Sequence, residues 1–445
     1  MQYLSPVITD LLSQDRRQTI FELLDFYFSH ITSLADIDVV GSLALKTDYR
    51  TLHLECARLA VSVAQTDEQK YLARKNLISA LITMNYPEEA LEQTDINLSM
   101  QPYDFDMISG RAGILSLMNR KQEADEYIDD LMEKYPHKED ELLSLMSSKM
   151  IRQGRTAEGI LNFLNGTKKR STLFEDELQM KKWTGEETEP GQKIYILTEG
   201  GIGDNLINAR FLDDLKNRGM RPILYSSHDD YYKSAFEVLE RHGYEVINDR
   251  YMIDPSALWT SILFLPAYLN CTEDDLWKGP YLSPLRQDKN QLESTDRLRI
   301  GIKCSGNPYF QQDEYRSVPI DELVNSLPKD SEIYYFDVEE GMEHEKVTDL
   351  SPRIEGWEDT LDFIDQMDVI VSSCTSLVHA SGAMGVRTMV LTPIAEYFVW
   401  TSTRTDESTP WYGENFTVLK QQTVRSWEEP LQRVYEILEN EESMN

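Results

Sequence analysis

Two adjacent stretches of 34 residues carry the same pattern, and that pattern restricts the first part of the chain to one kind of fold. Residues 71–104 read YLARKNLISALITMNYPEEALEQTDINLSMQPYD and residues 105–138 read FDMISGRAGILSLMNRKQEADEYIDDLMEKYPHK. Stacked, they set Asn85 on Asn119, Ala90 on Ala124 and Pro102 on Pro136. Apolar residues recur at three and four through both copies, which is the helical period. A small residue at a fixed offset lets two helices cross closely, and a proline ends the second helix. A weaker copy, RQGRTAEGILNFL, follows with its spacing slipped, and residues 37–70 read as an earlier one.

The period and offsets resemble the tetratricopeptide repeat. Such an array implies a solenoid whose concave face binds peptide or protein, or docks a neighbouring domain, and which carries no chemistry by itself. The alternative is an irregular helical bundle with a coincidental period. The helical region is expected to occupy residues 1–182.

Near Trp183 the rhythm changes. KKWTGEETEPGQ is polar, with proline and glycine, and reads as a linker. Strand-like runs then alternate with helical ones: strand 193–198, helix 204–217, strand 221–227, helix 230–241 and strand 244–247. A less regular stretch, 250–296, separates these from a second series. That series has strands at 298–304, 332–336, 368–373 and 387–392, helices near 319–327, 359–367 and 375–384, and a last helix near 426–440. This is βαβ rhythm, so mostly parallel sheets are expected, in two Rossmann-like domains over 190–296 and 297–445. Ligands in such folds sit at the carboxyl ends of the strands.

The chain of 445 residues has 77 acidic and 44 Lys or Arg side chains, a formal charge of -33. So acidic a surface repels nucleic acid and anionic lipid. No apolar run approaches the ~18 residues of a membrane span. The first residues, MQYLSPVITDLLSQD, lack the basic start and apolar core of a signal peptide. Cys56, Cys271, Cys304 and Cys374 are far apart and show no CxxC spacing. A reduced, cytoplasmic protein is expected. No convincing metal cluster is visible; His228-Asp229-Asp230 reads as a helix start rather than a ligand set.

Four segments at strand ends carry unusual chemistry. TEGGIGDN (198–205) places Gly200, Gly201 and Gly203 where a ligand can approach the backbone, with Asp204 at the tip. An ordinary tight turn with Asp204 capping the next helix explains it equally well. GIKCSGNPYFQQDEYRSVP (301–319) ends a strand in Ser305, Gly306 and Asn307 and brings Arg316, a bidentate partner for a diphosphate, or else a solvated surface arginine. SSCTSLVHASGAMG (372–385) starts a helix with Thr375 and Ser376, an anion site made of hydroxyls and N–H groups, with His379 one turn in. His379 also reads as a satisfied structural histidine. EYFVWTSTRTDESTPWYG (396–413) is dense in aromatics (Tyr397, Trp400, Trp411, Tyr412), which suit a sugar or base, or close the core under a loop.

Taken together and in this order, the segments from about Trp183 to Leu438 resemble the bacterial tetratricopeptide-repeat glycosyltransferases related to the heptosyltransferases, and more distantly the O-GlcNAc transferases. The resemblance implies a helical solenoid followed by a GT-B fold: two Rossmann-like domains, the first holding the acceptor, the second the nucleotide-sugar donor. It implies inverting transfer from a nucleotide-diphosphate sugar without a metal ion or other cofactor, to a glycan, lipid-linked glycan or protein. Asp204 matches the proposed general base. Arg316 stands where the related families carry a lysine on the donor diphosphate. Thr375 and Ser376 match hydroxyls that hold phosphate oxygens. His379 matches a position near the donor nucleotide and sugar, and Ser305, Asn307 and Trp400 match its walls. Heptosyltransferases commonly have an aspartate where Cys374 stands, which puts a heptose donor in doubt. A non-catalytic scaffold, its repeats binding a partner and its second part binding a nucleotide, is the other reading; the presence of both Asp204 and Arg316 favours the enzyme. Another GT-B-like enzyme, an epimerase or phosphorylase, shares only the fold.

Overall fold

The computed structural model describes residues 4–14, 16–31, 33–47, 49–136, 139–166, 173–226, 230–284, 290–307, 313–337, 343–394, 397–424 and 426–442. The chain forms two compact units, Met1–Pro136 and His137–Asn445. No helix among the described residues is long and apolar enough to cross a membrane.

The first unit is helical: α1 (Leu4–Ser13), α2 (Arg17–Phe28), α3 (Leu34–Lys46), α4 (Arg50–Val63), α5 (Asp67–Thr83), α6 (Pro87–Met100), α7 (Phe105–Leu117) and α8 (Lys121–Lys134). Each packs chiefly on the helix before it and the helix after it, as in a solenoid. The 34-residue period has a backbone cause. Asn85 and Asn119 both adopt left-handed φ, 63° and 57°, the conformation that ends a helix and that asparagine tolerates. The flanking hydrogen bonds repeat too: Tyr86 N–H donates to Leu81 O, and Arg120 N–H to Leu115 O. Five residues beyond each turn, Ala90 and Ala124 are buried where the paired helices cross.

The third copy, α9 (Glu139–Arg152) and α10 (Thr156–Gly166), belongs to the second unit. Gly154 takes the left-handed turn position (φ 81°), one residue out of register. Gly159 then stands where Ala90 and Ala124 do. A Cβ there would lie 2.5 Å from Ile151 Cγ1 and 2.8 Å from Ser147 O, so this crossing admits only glycine. Ile151, Ile160 and Leu164 of this hairpin share one core with the α/β part. The compact-unit division therefore falls at 136/137, whereas the sequence rhythm places the change near 182.

The rest of the second unit is built on two parallel sheets. The first contains β1 (Lys181–Lys182), β2 (Lys193–Leu197), β3 (Arg221–Tyr225), β4 (Glu245–Ile247) and β5 (Leu258–Ser261), in the order β1-β5-β2-β3-β4. Its helices are α11 (Ile202–Ala209), α12 (Phe211–Asn217), α13 (Asp230–Arg241) and the short α14 (Leu265–Tyr268). The second contains β6 (Arg299–Lys303), β7 (Glu332–Tyr335), β8 (Val347–Asp349), β9 (Val369–Ser373), β10 (Thr388–Thr392) and β11 (Phe416–Lys420), in the order β11-β10-β9-β6-β7-β8. Its helices are α15 (Asp313–Arg316), α16 (Ile320–Asn325), α17 (Trp357–Ile364), α18 (Ser376–Met384) and α19 (Glu428–Glu442). The second order is that of a Rossmann sheet, and the first follows it from β4 to β5. The architecture is a helical-repeat region followed by two Rossmann-like domains, the layout of the GT-B class.

Four strands differ from the sequence expectation. β1 lies in the stretch read as a linker, β5 inside the stretch read as irregular, and β8 and β11 were not expected; β1, β5 and β8 are short, and β5 pairs parallel with β2 from Ile194↔Leu258. The helix expected over 204–217 is two helices, α11 and α12. Asn205 Nδ2 and Asn208 Nδ2 donate to Gly201 O and Asp204 O, four residues back. These side-chain bonds compete for carbonyls that the helix ladder uses.

Candidate functional site

In a parallel sheet the crevice opens where the strand order reverses. In the first sheet that point is the end of β2, between β5 and β3; in the second it lies between the ends of β6 and β9. The segments TEGGIGDN, GIKCSGN and SSCTS leave the sheets at these two points. The structure brings them together.

Asp204 occupies the third position of α11. Its Oδ2 accepts the Gly201 N–H at 2.7 Å, and Gly200 makes the turn with φ 76°. The N-cap is Gly201, and Asp204 holds the turn from the third helical position, while its Oδ1 faces the other domain, where it accepts the Tyr397 hydroxyl at 2.9 Å. Gly203, between them in the turn, rests on the start of α18. A Cβ at Gly203 would lie 2.7 Å from His379 Cδ2 and 3.3 Å from Ser376 Cα.

Thr375 is the N-cap of α18 but does not cap it with its side chain; its Oγ1 lies 3.3 Å from Ser372 Oγ. Ser376 opens the helix and is half-buried. Arg316, at the end of α15, ties the two loops of the second sheet. Its Nη1 donates to Cys374 O at 2.7 Å and its Nε to Asp313 Oδ1 at 2.8 Å. Asp313 Oδ1 also accepts the Gly306 N–H. Ser305 beside it is half-buried and Asn307 exposed; Pro308 lies outside the described residues, as do His228 and Asp229.

His379 is buried. Its Nδ1 lies 2.8 Å from Tyr412 Oη, and its ring stacks on Trp400 with centroids 5.4 Å apart and planes 7° apart. Burial, then the charges of Arg210 and Arg316, push its pKa down to about 3, so it is neutral at ordinary pH. Trp400 stacks on Phe416 as well, and its indole N–H donates to Cys374 Sγ at 2.8 Å. Burial pushes the Cys374 thiol up to about 11, with Asp204 adding to the rise and Trp400 and Arg316 opposing it. Trp400 is thus a core aromatic supporting His379 and Cys374. Among the described residues, no three His, Cys, Asp or Glu side chains are grouped as metal ligands.

Arg210 is not among the residues the motifs single out. Its guanidinium donates to Leu276 O, Trp411 O and Tyr281 Oη and lies over the rings of Trp277, Tyr281 and Tyr412 at 5.3, 4.9 and 4.9 Å. It pins the first sheet's helices to the loop after β10. The signal was a lone charged residue in the mostly apolar INARFL. The contact of Tyr397 with Asp204, 193 residues apart, left no such signal.

No protein-family model matches the chain, and no curated protein matches it. Among solved structures, the E. coli ADP-heptose LPS heptosyltransferase II aligns at 10% identity over 56% of this chain and 100% of that one, with a TM-score of 0.36. The iron-containing dodecameric glycosyltransferase TibC from enterotoxigenic E. coli aligns at 9% over 57% and 78%, with a TM-score of 0.39. A mutant O-GlcNAc transferase from Thermobaculum terrenum aligns at 10% over 92% and 91%, with a TM-score of 0.32. These are the families that the motifs resemble, and the likeness is one of general arrangement.

Proposed function

We propose that the second unit is an inverting glycosyltransferase that moves a sugar from a nucleotide-diphosphate sugar to an acceptor hydroxyl, with Asp204 as general base. One juxtaposition supports this reading. A carboxylate at the switch point of the first sheet faces a cationic and N–H-rich switch point in the second. Asp204 and Arg316 both act on the same two neighbours, Cys374 and Tyr397.

In this reading the acceptor hydroxyl binds beside Asp204. Its oxygen attacks the anomeric carbon while its proton passes to the carboxylate. The bond from that carbon to the diphosphate oxygen breaks on the opposite face, and the diphosphate leaves with the electron pair. Arg316, the first N–H groups of α18 and the Thr375 and Ser376 hydroxyls meet the charge that develops there. Ser305, Asn307 and His379 line the donor nucleotide and sugar, with Trp400 behind His379. Tyr397 then stands at the crevice beside Asp204, and the buried Trp411 and Tyr412 support the pocket from beneath. Arg316 and the α18 N-terminus carry the diphosphate charge in this scheme, so we place no divalent metal in the reaction; a rate unchanged by EDTA is the result it requires.

The test is release of nucleoside diphosphate from UDP-, GDP-, ADP- and dTDP-sugars offered with candidate glycan and peptide acceptors, for the native chain and for Asp204→Asn. One donor turned over by the native chain, with loss of about 100-fold or more in the variant, is expected. Binding without turnover of any donor favours the scaffold reading.

A further inference from the structure

Asp204 is held from two sides, from its own turn and from across the crevice. Gly201 N–H fixes Oδ2. The other oxygen is held from the far side of the crevice by Tyr397, which the motifs present only as one of several loop aromatics. We propose that Tyr397 is a positioning residue for Asp204: its hydroxyl holds the carboxylate in the single orientation that faces the acceptor. This rests on the reading of Asp204 as the base.

The placement of Tyr397 is built for such a role. Its carbonyl accepts from Trp400 N–H at 2.9 Å and from Thr401 Oγ1 at 3.0 Å, which fixes the turn that carries it. Its ring stands edge-on to Phe163 of α10, centroids 5.5 Å apart, and against Phe398 at 4.6 Å. The third helical hairpin thus seats the residue that touches Asp204. The phenol remains a donor: burial, then the charge of Asp204, raises its pKa well above the usual range. A hydrogen bond donated to a carboxylate favours its charged form. The hydrogen bond therefore aims the base and favours its ionised form.

Among the described residues, the other titratable or charged groups set around this carboxylate are Arg316, Cys374 and His379. Arg316 on α15 stays cationic. The Cys374 thiol, before α18, and His379, on α18, stay neutral, with pKa near 11 and near 3. A change in the titration of Asp204 on loss of the Tyr397 hydroxyl therefore reports that hydroxyl.

Tyr397→Phe keeps the ring and its packing and removes only the oxygen. Two readouts separate positioning from structure. The first is the titration of Asp204, followed by 13C NMR of protein labelled at aspartate carboxyls, with the resonance assigned through Asp204→Asn. Its midpoint should rise by about 0.5–1 unit in Tyr397→Phe. The second is turnover of the nucleotide sugar that the native chain uses. The acid limb should move up by the same amount, and kcat should fall by about 10-fold with the donor KM unchanged. A midpoint that stays where it is in the native chain overturns the proposal. Full turnover in Asp204→Asn overturns instead the assignment of the base, and the NMR midpoint still reports whether Tyr397 holds the carboxylate.

Discussion

Gly203 lies against the imidazole of His379, so that a β-carbon on the glycine would stand 2.7 Å from Cδ2. Here the first turn of α11 meets the first turn of α18, and the two switch points come within reach of one substrate. Gly203→Ala should force the helices apart. Overpacking of this kind costs about 1–3 kcal/mol, and a displacement of ~1 Å at a reacting centre costs about 100-fold in rate. Thermal unfolding and turnover are expected to fall together. A variant with native stability and native rate would mean that the two helices slide past one another freely.

Asp204→Asn should separate binding from chemistry. The amide oxygen can still accept the Gly201 N–H while the amide NH2 turns to donate to the Tyr397 oxygen, so the turn survives, but the side chain takes up no proton. Turnover should drop by about 100-fold or more while nucleotide affinity, read by calorimetry, stays within about 2-fold. A loss of nucleotide affinity in step with the rate would make Asp204 part of the donor site.

Arg316→Ala should act on the donor. Loss of a hydrogen bond to a charged group costs about 1.5–3 kcal/mol, roughly a 10- to 150-fold rise in the dissociation constant for the nucleoside diphosphate. Arg316 also bridges Asp313 and Cys374 O, so a modest fall in melting temperature is expected as well. Asp313→Asn weakens that bridge and keeps the guanidinium. Equal losses of nucleotide affinity in the two variants would assign Arg316 a structural role only.

Much of this layout was legible in the sequence because it rests on local chemistry. Asn85 and Asn119 could be paired across 34 residues since each fills a left-handed turn. The long strands declared themselves as apolar runs, as in KIYIL, buried at its last four positions. Strands as short as Val347–Asp349 carry too few residues for a period. The four chemical segments could be read as neighbours only because each ends a strand of a parallel sheet. The partners of Asp204 and Arg210 could not be read. A hydrogen bond between residues 193 apart, or an arginine set among four aromatic rings, is a product of docking two domains. The sequence shows only that a tyrosine and an arginine are present.

His379 makes stability depend on pH in a definable direction. Its folded pKa, about 3, lies below the usual 6.5. Between those values the unfolded chain takes up a proton that the native chain refuses. The contribution is therefore complete above pH 6.5 and is lost as pH falls below it, at up to ~1.4 kcal/mol per pH unit. His379→Gln has no such proton. The unfolding free energy of the native chain relative to this variant should fall by about 1.6 kcal/mol between pH 6.5 and 5, measured by urea denaturation at each pH. A difference that is flat with pH would mean that the protonated ring is accommodated beside Tyr412 and Trp400.

The repeat turns offer a test that needs no substrate. Asn119 sits at φ 57° with its N–H donated to Ser116 O. An alanine there meets the steric cost of the left-handed region, about 1–2 kcal/mol, part of which asparagine avoids. A glycine pays none of it. Asn119→Ala should therefore destabilise the helical unit by about 1 kcal/mol, and Asn119→Gly should leave it within about 0.5 kcal/mol of native. Asn85 should show the same order, because it makes the same turn one repeat earlier. Chemical unfolding followed by far-ultraviolet circular dichroism gives both values. If alanine proved as stable as glycine at both sites, the period would rest on the helix crossings at Ala90 and Ala124 and owe nothing to the turns.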